Sequence, residues 1–207
     1  MSNSVVITSG VRTAVGSIGK SLKNISSVDL GAAVISNAVE KSKLKKSDVD
    51  EVIFGQVLTA GIGQNPARQA AIKSGIPKEI PAHIVNQVCG SGLRSIVAGF
   101  QSIISNSSKI IIAGGQESMS LAHHSTYLRE GKKLGDIELV DTMIKDGLWD
   151  AFNGYHMGIT AENVAEKFQV TRDEQDKFAL KSQEKALKAQ KEKKFKDEII
   201  NFKIKSK

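Results

Sequence analysis

The sequence predicts an α/β fold in which a mostly parallel sheet is covered by helices. Short β-branched runs alternate with apolar residues at helical spacing between residues 5 and 115, and the connections between them are short. Glycine is frequent, at 18 residues against 3 prolines, which suits the tight turns and close backbone approaches of such folds. Hydrophobic residues make up 40% of the chain and charged residues 25%, a composition typical of globular proteins.

The predicted elements follow one another in the order βαβαβαβ. Serine before an apolar helical pattern and Asn-Pro before another are favourable helix starts, and glycine is a favourable stop. Two of the strands are apolar enough to be buried on both faces. The predicted segments are Val5–Thr8, a helix from Ser26 or Ser27 to Ser42, the buried strand Val49–Val57, a helix from Asn65-Pro66 to Gly75, the buried strand Ala82–Val88, a helix that carries Leu93 to Ile104, and Lys109–Ala113 before Gly114-Gly115.

The pattern changes in the second part of the chain. Residues 121–157 lack sustained periodicity, and so long a stretch without clear elements is typical of a functional loop. Two helices follow, one from near Thr160 to near Phe168 and one that begins at the capping box Thr171–Glu174. We therefore predict a first α/β domain over residues 1–120 and a partial second domain over residues 121–207.

The charge and the apolar pattern restrict the class of protein. Most of the net charge of +7 lies between Lys181 and Lys207, where ten Lys face four Asp or Glu, and a solvated helix face with a tail explains it. No apolar run is long enough to cross a bilayer, and Met1–Ser4 lacks the basic start of a secretory signal. We predict a cytoplasmic protein without membrane or nucleic-acid partners, and a basic patch for RNA or anionic surfaces remains the alternative.

The chain has one cysteine, Cys89, which follows a predicted strand and opens the next helix. Free N–H groups and the dipole at a helix start favour a thiolate, and such N–H groups, that of Cys89 included, can stabilise an oxyanion. Gly90 and Gly92 leave room for a substrate carbonyl. Because a lone intracellular cysteine is also often a small buried hydrophobe, the spacing alone leaves both interpretations open.

The residues around Cys89 resemble a known active-site segment. Asn86–Arg94 is similar to the nucleophile segment of the thiolases, the acetyl-CoA acetyltransferase family. The resemblance departs only mildly, at Ala14 and Ile18, where the family often has proline and phenylalanine, and it extends to about Ile200. Further segments resemble thiolase segments in the same order, namely Arg12–Gly16, Ser27–Gly31, Val49–Val57, Gln64–Ala70, Ala113–Ser120 and Tyr155–Gly158.

The resemblance implies thioester chemistry on Cys89. The thiolate takes the acyl group of an acyl-CoA, and the enolate of a second acetyl-CoA attacks it to give a 3-ketoacyl-CoA, or the reverse thiolysis occurs. It implies acetyl-CoA and acetoacetyl-CoA as substrates, no tightly bound cofactor, a role in fatty acid metabolism, and a homotetramer built as a dimer of dimers. The alternatives are a related condensing enzyme, a thiolase of longer-chain specificity, and a non-catalytic thiolase-like protein that binds through its basic C-terminal segment.

The resemblance also implies a substrate site. His156-Met157-Gly158 is similar to the segment that borders the pantetheine and acyl groups in short-chain thiolases, where the methionine limits the length of the pocket. Leu148 lies in the segment that the family places against CoA. A core methionine and a surface histidine are the alternatives for Met157 and His156.

The other histidines receive no catalytic role. His123 and His124 lack metal-ligand spacing and cysteine partners, so we predict no metal site and expect them at an interface or in solvent. His83 lies in a predicted buried strand and is expected to be a hydrogen-bonded core histidine.

Three other motifs of the thiolase family do not occur in these 207 residues. They are Gly-His-Pro, Cys-x-Gly and Asn-Glu-Ala-Phe, which belong to the C-terminal half of the family's sequence. The sequence therefore predicts a truncated thiolase without its C-terminal domain, and we expect no thiolysis by this chain alone.

Overall fold

Three parallel strands and three helices form the larger of two units in the computed structural model, which describes residues 4–204. The described residues of this first unit are 4–147 and 200–204, and the second unit is Leu148–Ile199. The domain boundary at residue 120 stays a prediction. Met1 to Asn3, considered above for a signal sequence, and the last three residues of the basic segment lie outside the described residues.

A parallel sheet organises the first unit and confirms the predicted α/β class. Its order is β2-β1-β3, with every pairing parallel, and its strands are β1 (Glu51–Gly55), β2 (Ala82–Val85) and β3 (Ile111–Gly115). Strand β1 is central, and its residues Val52, Ile53 and Phe54 are buried. This part of the run from Val49 to Val57 therefore has both faces covered, as predicted.

Helices cover both faces of the sheet. Val52 and Phe54 belong to one hydrophobic core with residues of two helices, while the opposite face of β1 carries Glu51, which accepts a hydrogen bond from Ser102 of a third helix. The helices on the first face pack on each other. The three helices are α1 (Ser27–Lys41) and α2 (Pro66–Lys73) on the first face, and α3 (Ser91–Ile104) on the second.

The predicted helix starts are confirmed by their capping contacts. The Ser26 hydroxyl accepts a hydrogen bond of 3.0 Å from the Asp29 N–H at the start of α1. The Asn65 side chain accepts one of 3.1 Å from the Arg68 N–H at the start of α2. Gly75 follows the end of α2 with a φ of +87°, a conformation that glycine adopts at little cost.

The predicted first strand, Val5–Thr8, is wrong. Ile7 is 82% exposed, and this segment forms no ladder with any strand among the described residues. The Ser9 hydroxyl instead donates to the Ala38 carbonyl at 3.0 Å, which ties the extended chain to α1. A β-branched run becomes a strand only where a neighbour offers ladder partners, and none of the described strands pairs with this segment.

The predicted buried strand Ala82–Val88 is shorter and less buried than expected. Strand β2 ends at Val85 and lies at an edge of the sheet. The prediction that His83 is a core residue is wrong, because its side chain is 48% exposed and its Nδ1 lies 3.2 Å from the Glu51 Oε1. An edge position leaves one side of a strand without cover, which apolar composition alone does not reveal.

The segment after β3 contains short elements in place of one long loop. Each unit contains a pair of short antiparallel strands. Neither of the last two helices has a buried residue, and no described helix is long and apolar enough to cross a membrane. The elements are β4 (His124–Ser125) with β5 (Val140–Asp141) in the first unit, and β6 (Trp149–Asp150), β7 (Tyr155–His156), α4 (Met157–Lys167) and α5 (Arg172–Lys191) in the second.

The second unit confirms one predicted helix start and moves another. Thr171 and Glu174 form the predicted capping box of α5, with the Thr171 N–H donating to Glu174 Oε2 at 2.8 Å. Helix α4 begins at Met157, three residues before the predicted Thr160, because His156 caps it. Lys188 and Lys194 of the basic segment both form ion pairs with Glu192.

The start of α3 lies directly against the ends of two strands. An added Cβ at Gly55 of β1 would lie 2.3 Å from the carbonyl carbon of Ser91, and one at Gly115 of β3 would lie 3.4 Å from the Gly92 Cα. The fully buried Ser95 hydroxyl lies 2.7 Å from the Gly114 carbonyl, to which it donates. The glycine at position 55 and the buried hydroxyl of Ser95 therefore hold the start of α3 on the carboxyl edge of the sheet.

Replacing Gly55 by alanine is expected to destabilise the first unit by about 1–3 kcal/mol, the usual cost of overpacking. The new Cβ would meet backbone atoms of Ser91 and Gly92, which cannot rotate away as a side chain would. Gly10→Ala is the matched control, because a Cβ there meets no described atom within 4 Å, and its effect should stay within about 0.5 kcal/mol. Urea denaturation followed by circular dichroism measures both variants, and equal stabilities would contradict the close approach.

Candidate active site

Cys89 lies in a sharp turn between β2 and α3. We call residues 86–90 the elbow. The Cys89 side chain is exposed, and α3 begins only at Ser91, with Gly90 as its N-cap. The sequence placed Cys89 in the first turn of the helix, whereas the structure places it two residues before the first helical residue.

The backbone of the elbow is held in an unusual conformation. Val88 has a φ of +48°, which is a genuine outlier for a β-branched residue. The Gly90 N–H donates to the Gln87 carbonyl and the Ser91 N–H to the Val88 carbonyl, each at 3.0 Å. The expectation that free N–H groups at the helix start surround Cys89 is therefore wrong for these two, because both are already paired within the turn.

Side chains hold the elbow from both ends, a feature that the sequence analysis missed. The Ser91 hydroxyl accepts a hydrogen bond of 2.8 Å from the Gln87 N–H and donates one of 2.5 Å to the Val88 carbonyl. The Asn86 Oδ1 accepts one of 2.9 Å from the Val88 N–H. Ser91 is only 4% exposed, so its hydroxyl spans the turn from a fixed position. A serine two residues after the cysteine was the one available sequence signal.

A chain of buried amides lies at the same carboxyl edge of the sheet. Gln56 follows β1 and is 1% exposed, and its Nε2 donates to the Ser27 hydroxyl at 3.1 Å and to the Leu58 carbonyl at 3.0 Å. Gln116 follows β3 and donates through its Nε2 to the Gln56 Oε1 at 2.9 Å. These contacts join the ends of β1 and β3 to the start of α1, and no spacing rule in the sequence predicted them.

Glu117, the residue after this chain of amides, is a partly buried carboxylate. Its Oε2 accepts hydrogen bonds from the Val57 N–H at 2.9 Å and the Leu58 N–H at 3.3 Å. Burial raises the pKa of Glu117 above its ordinary value, although these backbone donors oppose the change. Its Oε1 is buried and has no hydrogen-bond partner among the described residues. The carboxylate therefore holds the chain after β1 at an electrostatic cost.

The three residues predicted to contact substrate lie together in the second unit, while Cys89 lies in the first. Trp149 pairs with His156 in the β6–β7 ladder, so Leu148 and Met157 flank this pair. The His156 Nδ1 accepts a hydrogen bond of 3.0 Å from the Gly158 N–H, so in the neutral ring the proton lies on Nε2. Met157 is 43% exposed, and the interpretation of it as a core residue is therefore wrong.

His123 and His124 of the first unit take no part in the described hydrogen bonds of the elbow. The His123 ring packs over Gly61, where an added Cβ would lie 1.8 Å from its Nδ1. His124 is exposed in β4. Among residues 4–204, no group of three or more His, Cys, Asp or Glu side chains is placed to hold a metal ion.

The chain is similar to known proteins over nearly its whole length. The family model described as thiolase, N-terminal domain, matches residues 5–207. The acetyl-CoA acetyltransferase of Rhizobium meliloti (strain 1021) is 58% identical over 100% of this chain and 53% of its own length. Those of Paracoccus denitrificans and Shinella zoogloeoides are 56% and 54% identical over 97% and 99% of this chain, and 51% and 52% of their own lengths. The chain thus spans about half the length of the curated relatives it matches, and the resemblance predicted from its motifs is confirmed.

Replacing Glu117 by glutamine should change how stability depends on pH. Because the pKa of Glu117 is raised in the folded protein, its contribution to the free energy of unfolding is greatest below its ordinary pKa and is lost as pH rises through the raised value. Glutamine still accepts from the Val57 and Leu58 N–H groups but cannot ionise. The stability of Glu117→Gln relative to the wild type should therefore increase from about pH 4.5 to pH 7. Urea denaturation at both pH values measures this difference, and a constant difference would show that the carboxylate is not destabilised by burial.

Proposed function

We propose that Cys89 accepts the acyl group in an acyl-CoA transfer reaction, since the chain belongs to the thiolase family. The observation that carries the proposal is the exposed thiol on the elbow, in a chain that has one cysteine. A nucleophile on a tight turn between a strand and a helix is accessible to a carbonyl group from outside the fold. Gly92, on the helix side of the elbow, adds to this access, because a Cβ there would meet no described atom within 4 Å.

The proposed activity of the whole protein is acetyl transfer between CoA thioesters. The three relatives named above carry the name acetyl-CoA acetyltransferase. The Cys89 sulfur attacks the carbonyl carbon of acetyl-CoA, a new C–S bond forms, and CoA leaves as a thiol after taking up a proton. The enolate of a second acetyl-CoA then forms a C–C bond with the acetyl carbon, and the Cys89 thiolate leaves. The reverse sequence is thiolysis of acetoacetyl-CoA.

The proton transfers of this cycle need a base that we do not assign to these residues. The chain has no second cysteine and no histidine followed by proline, which are the groups that the family resemblance implies. We propose that in the whole protein they come from the half of the relatives' length that this chain does not span. Assembly as a dimer of dimers, a cytoplasmic location and a role in fatty acid metabolism belong to the same proposal.

We propose the backbone N–H of Cys89 as an oxyanion donor. The neighbouring N–H groups of Gly90 and Ser91 are paired with carbonyl groups of the elbow, so they are not available to a substrate oxygen. The Cys89 N–H lies next to the attacking sulfur, where the negative charge of a tetrahedral intermediate develops. We therefore propose one oxyanion donor from the elbow, the Cys89 N–H, where the sequence suggested several N–H groups.

For the substrate site we propose that His156, Met157 and Leu148 contact the acyl and pantetheine groups. The Nε2–H of His156 supports this role, because Nδ1 is used in capping α4 and leaves Nε2 as a donor for an amide or thioester oxygen. Met157 offers an exposed, flexible apolar surface suited to an acyl chain. A longer-chain specificity remains an alternative within the same chemistry.

Acetylation of Cys89 tests the proposed nucleophile. Incubation of the 207-residue chain with acetyl-CoA should give one acetyl group, bound as a thioester that neutral hydroxylamine removes, on the peptide that contains Cys89. Cys89→Ser should lose all label that hydroxylamine removes. Mass spectrometry of digested protein distinguishes this thioester from acetylated lysine, and label on lysines alone would contradict the proposal. We expect no cleavage of acetoacetyl-CoA by this chain alone.

Two replacements of His156 separate its capping role from its proposed binding role. Asparagine is a good N-cap, whereas alanine should cost the second unit about 1 kcal/mol. Both lack the Nε2–H donor, so both should weaken acetyl-CoA binding by roughly 0.5–1.5 kcal/mol, the usual contribution of one hydrogen bond. Urea denaturation and titration calorimetry measure the two effects, and wild-type affinity in His156→Asn would contradict the binding role.

A further inference from the structure

We propose that Ser91 is a positioning residue that keeps the elbow in the conformation that presents Cys89. The proposal rests on the proposed function of Cys89 as the nucleophile. Ser91 itself is buried and its hydroxyl is used within the elbow, so it acts on the reaction through the backbone and not by touching the substrate.

The elbow needs an external constraint because of Val88. Its φ of +48° lies in the left-handed region, which β-branched side chains disfavour strongly. A residue remains in such a conformation only where the surrounding contacts over-determine it. Released from those contacts, Val88 would move toward negative φ, and this rotation would turn the next residue, Cys89, to a new direction.

Ser91 is the residue that bonds to the backbone before and after the strained φ of Val88, at the Gln87 N–H and at the Val88 carbonyl. Its hydroxyl accepts from the Gln87 N–H and donates to the Val88 carbonyl, and its own N–H donates to the same carbonyl. The remaining polar group of Val88, its N–H, is held by the Asn86 side chain. Both backbone polar groups of Val88 are therefore fixed, and among residues 4–204 the donors to its carbonyl, the Ser91 hydroxyl and N–H, both come from Ser91.

Ser91 can act as a fixed point because the sheet holds it in place. Its backbone lies so close to Gly55 that a Cβ there would sit 2.3 Å from the Ser91 carbonyl carbon. One turn later, Ser95 is bonded to the Gly114 carbonyl of β3. Strands β1 and β3 thus hold the start of α3 in place. The Ser91 hydroxyl at this helix start holds Val88, and Val88 sets the direction of Cys89.

A double-mutant cycle tests this inference. The variants are Ser91→Ala, Val88→Gly and the two combined, because glycine adopts a φ of +48° without strain. We expect Ser91→Ala to slow acetylation of Cys89 by acetyl-CoA about tenfold or more, a loss that a misplacement of about 1 Å can produce. Alkylation by iodoacetamide, which needs only an exposed thiol, should change less than about threefold. Val88→Gly should have little effect alone and should restore much of the rate when combined with Ser91→Ala.

Ser102→Ala is the matched control, because it removes a half-buried hydroxyl of α3 that bonds to Glu51 and Ser108 and makes no bond to the elbow. A role in stability alone would lower the rate in both serine variants, and Val88→Gly would not restore it. A wild-type rate in Ser91→Ala, or a loss that Val88→Gly leaves unchanged, would overturn the proposal. If Ser91→Ala does not fold, the double variant Ser91→Ala/Val88→Gly decides the same question, because glycine removes the strain that Ser91 is proposed to hold, and a double variant that also fails to fold would overturn the proposal.

A second measurement separates this inference from the proposed function. The HN–Hα coupling constant of Val88, measured by NMR, depends on φ and requires no acyl transfer. It should change in Ser91→Ala and stay unchanged in Ser102→Ala. If the wild-type chain is not acetylated, the proposed function fails, and the Val88 coupling alone then supports or overturns the positioning role of Ser91.

Discussion

The contact between the start of α3 and the ends of β1 and β3 is the constraint on which the candidate site depends. Gly55 contributes no side chain at the point where the helix backbone passes over β1, so helix and sheet approach more closely there than any other residue would allow, and Gly115 lies at ordinary contact distance from Gly92. This approach places Ser91 next to the elbow and buries it. A nucleophile on a turn is ordinarily as mobile as the turn, and here the turn is held by a hydroxyl that the sheet itself positions.

The buried amides and Glu117 support the same edge of the sheet from the other side. Gln56 and Gln116 bond to each other across the ends of β1 and β3, and Glu117 bonds to the backbone after β1. Buried polar groups cost free energy unless they are paired, and here the pairing joins segments distant in sequence. Part of this cost is retained, because the Gln116 Oε1 and the Glu117 Oε1 are buried without a hydrogen-bond partner among the described residues.

The sequence predicted what local chemistry decides and missed what the tertiary structure decides. The caps at Ser26, Asn65 and Thr171 were predictable because each side chain bonds within its own turn. The failure of Val5–Thr8 as a strand and the exposure of His83 depend on which strands are neighbours, and no local pattern contains that information. Cys89 was identified by its motif, whereas the hydrogen bonds of Ser91 to the elbow and the φ of Val88 follow from packing between distant segments.

The two faces of α3 explain why its apolar pattern was a poor guide to what it packs against. The face toward the sheet carries small residues, Ser91, Ser95 and Gly99, which are buried, because the close approach over Gly55 leaves no space for larger ones. The large residues lie on the other side, where Leu93 is 69% and Phe100 is 52% exposed. A row of exposed large apolar residues on one face of a helix is typical of a surface that packs on another protein segment, and the relatives are about twice as long as this chain. The close approach of α3 to Gly55 therefore has two consequences. It holds Ser91 next to the elbow that carries Cys89, and it leaves the large apolar residues of α3 on the face away from the sheet.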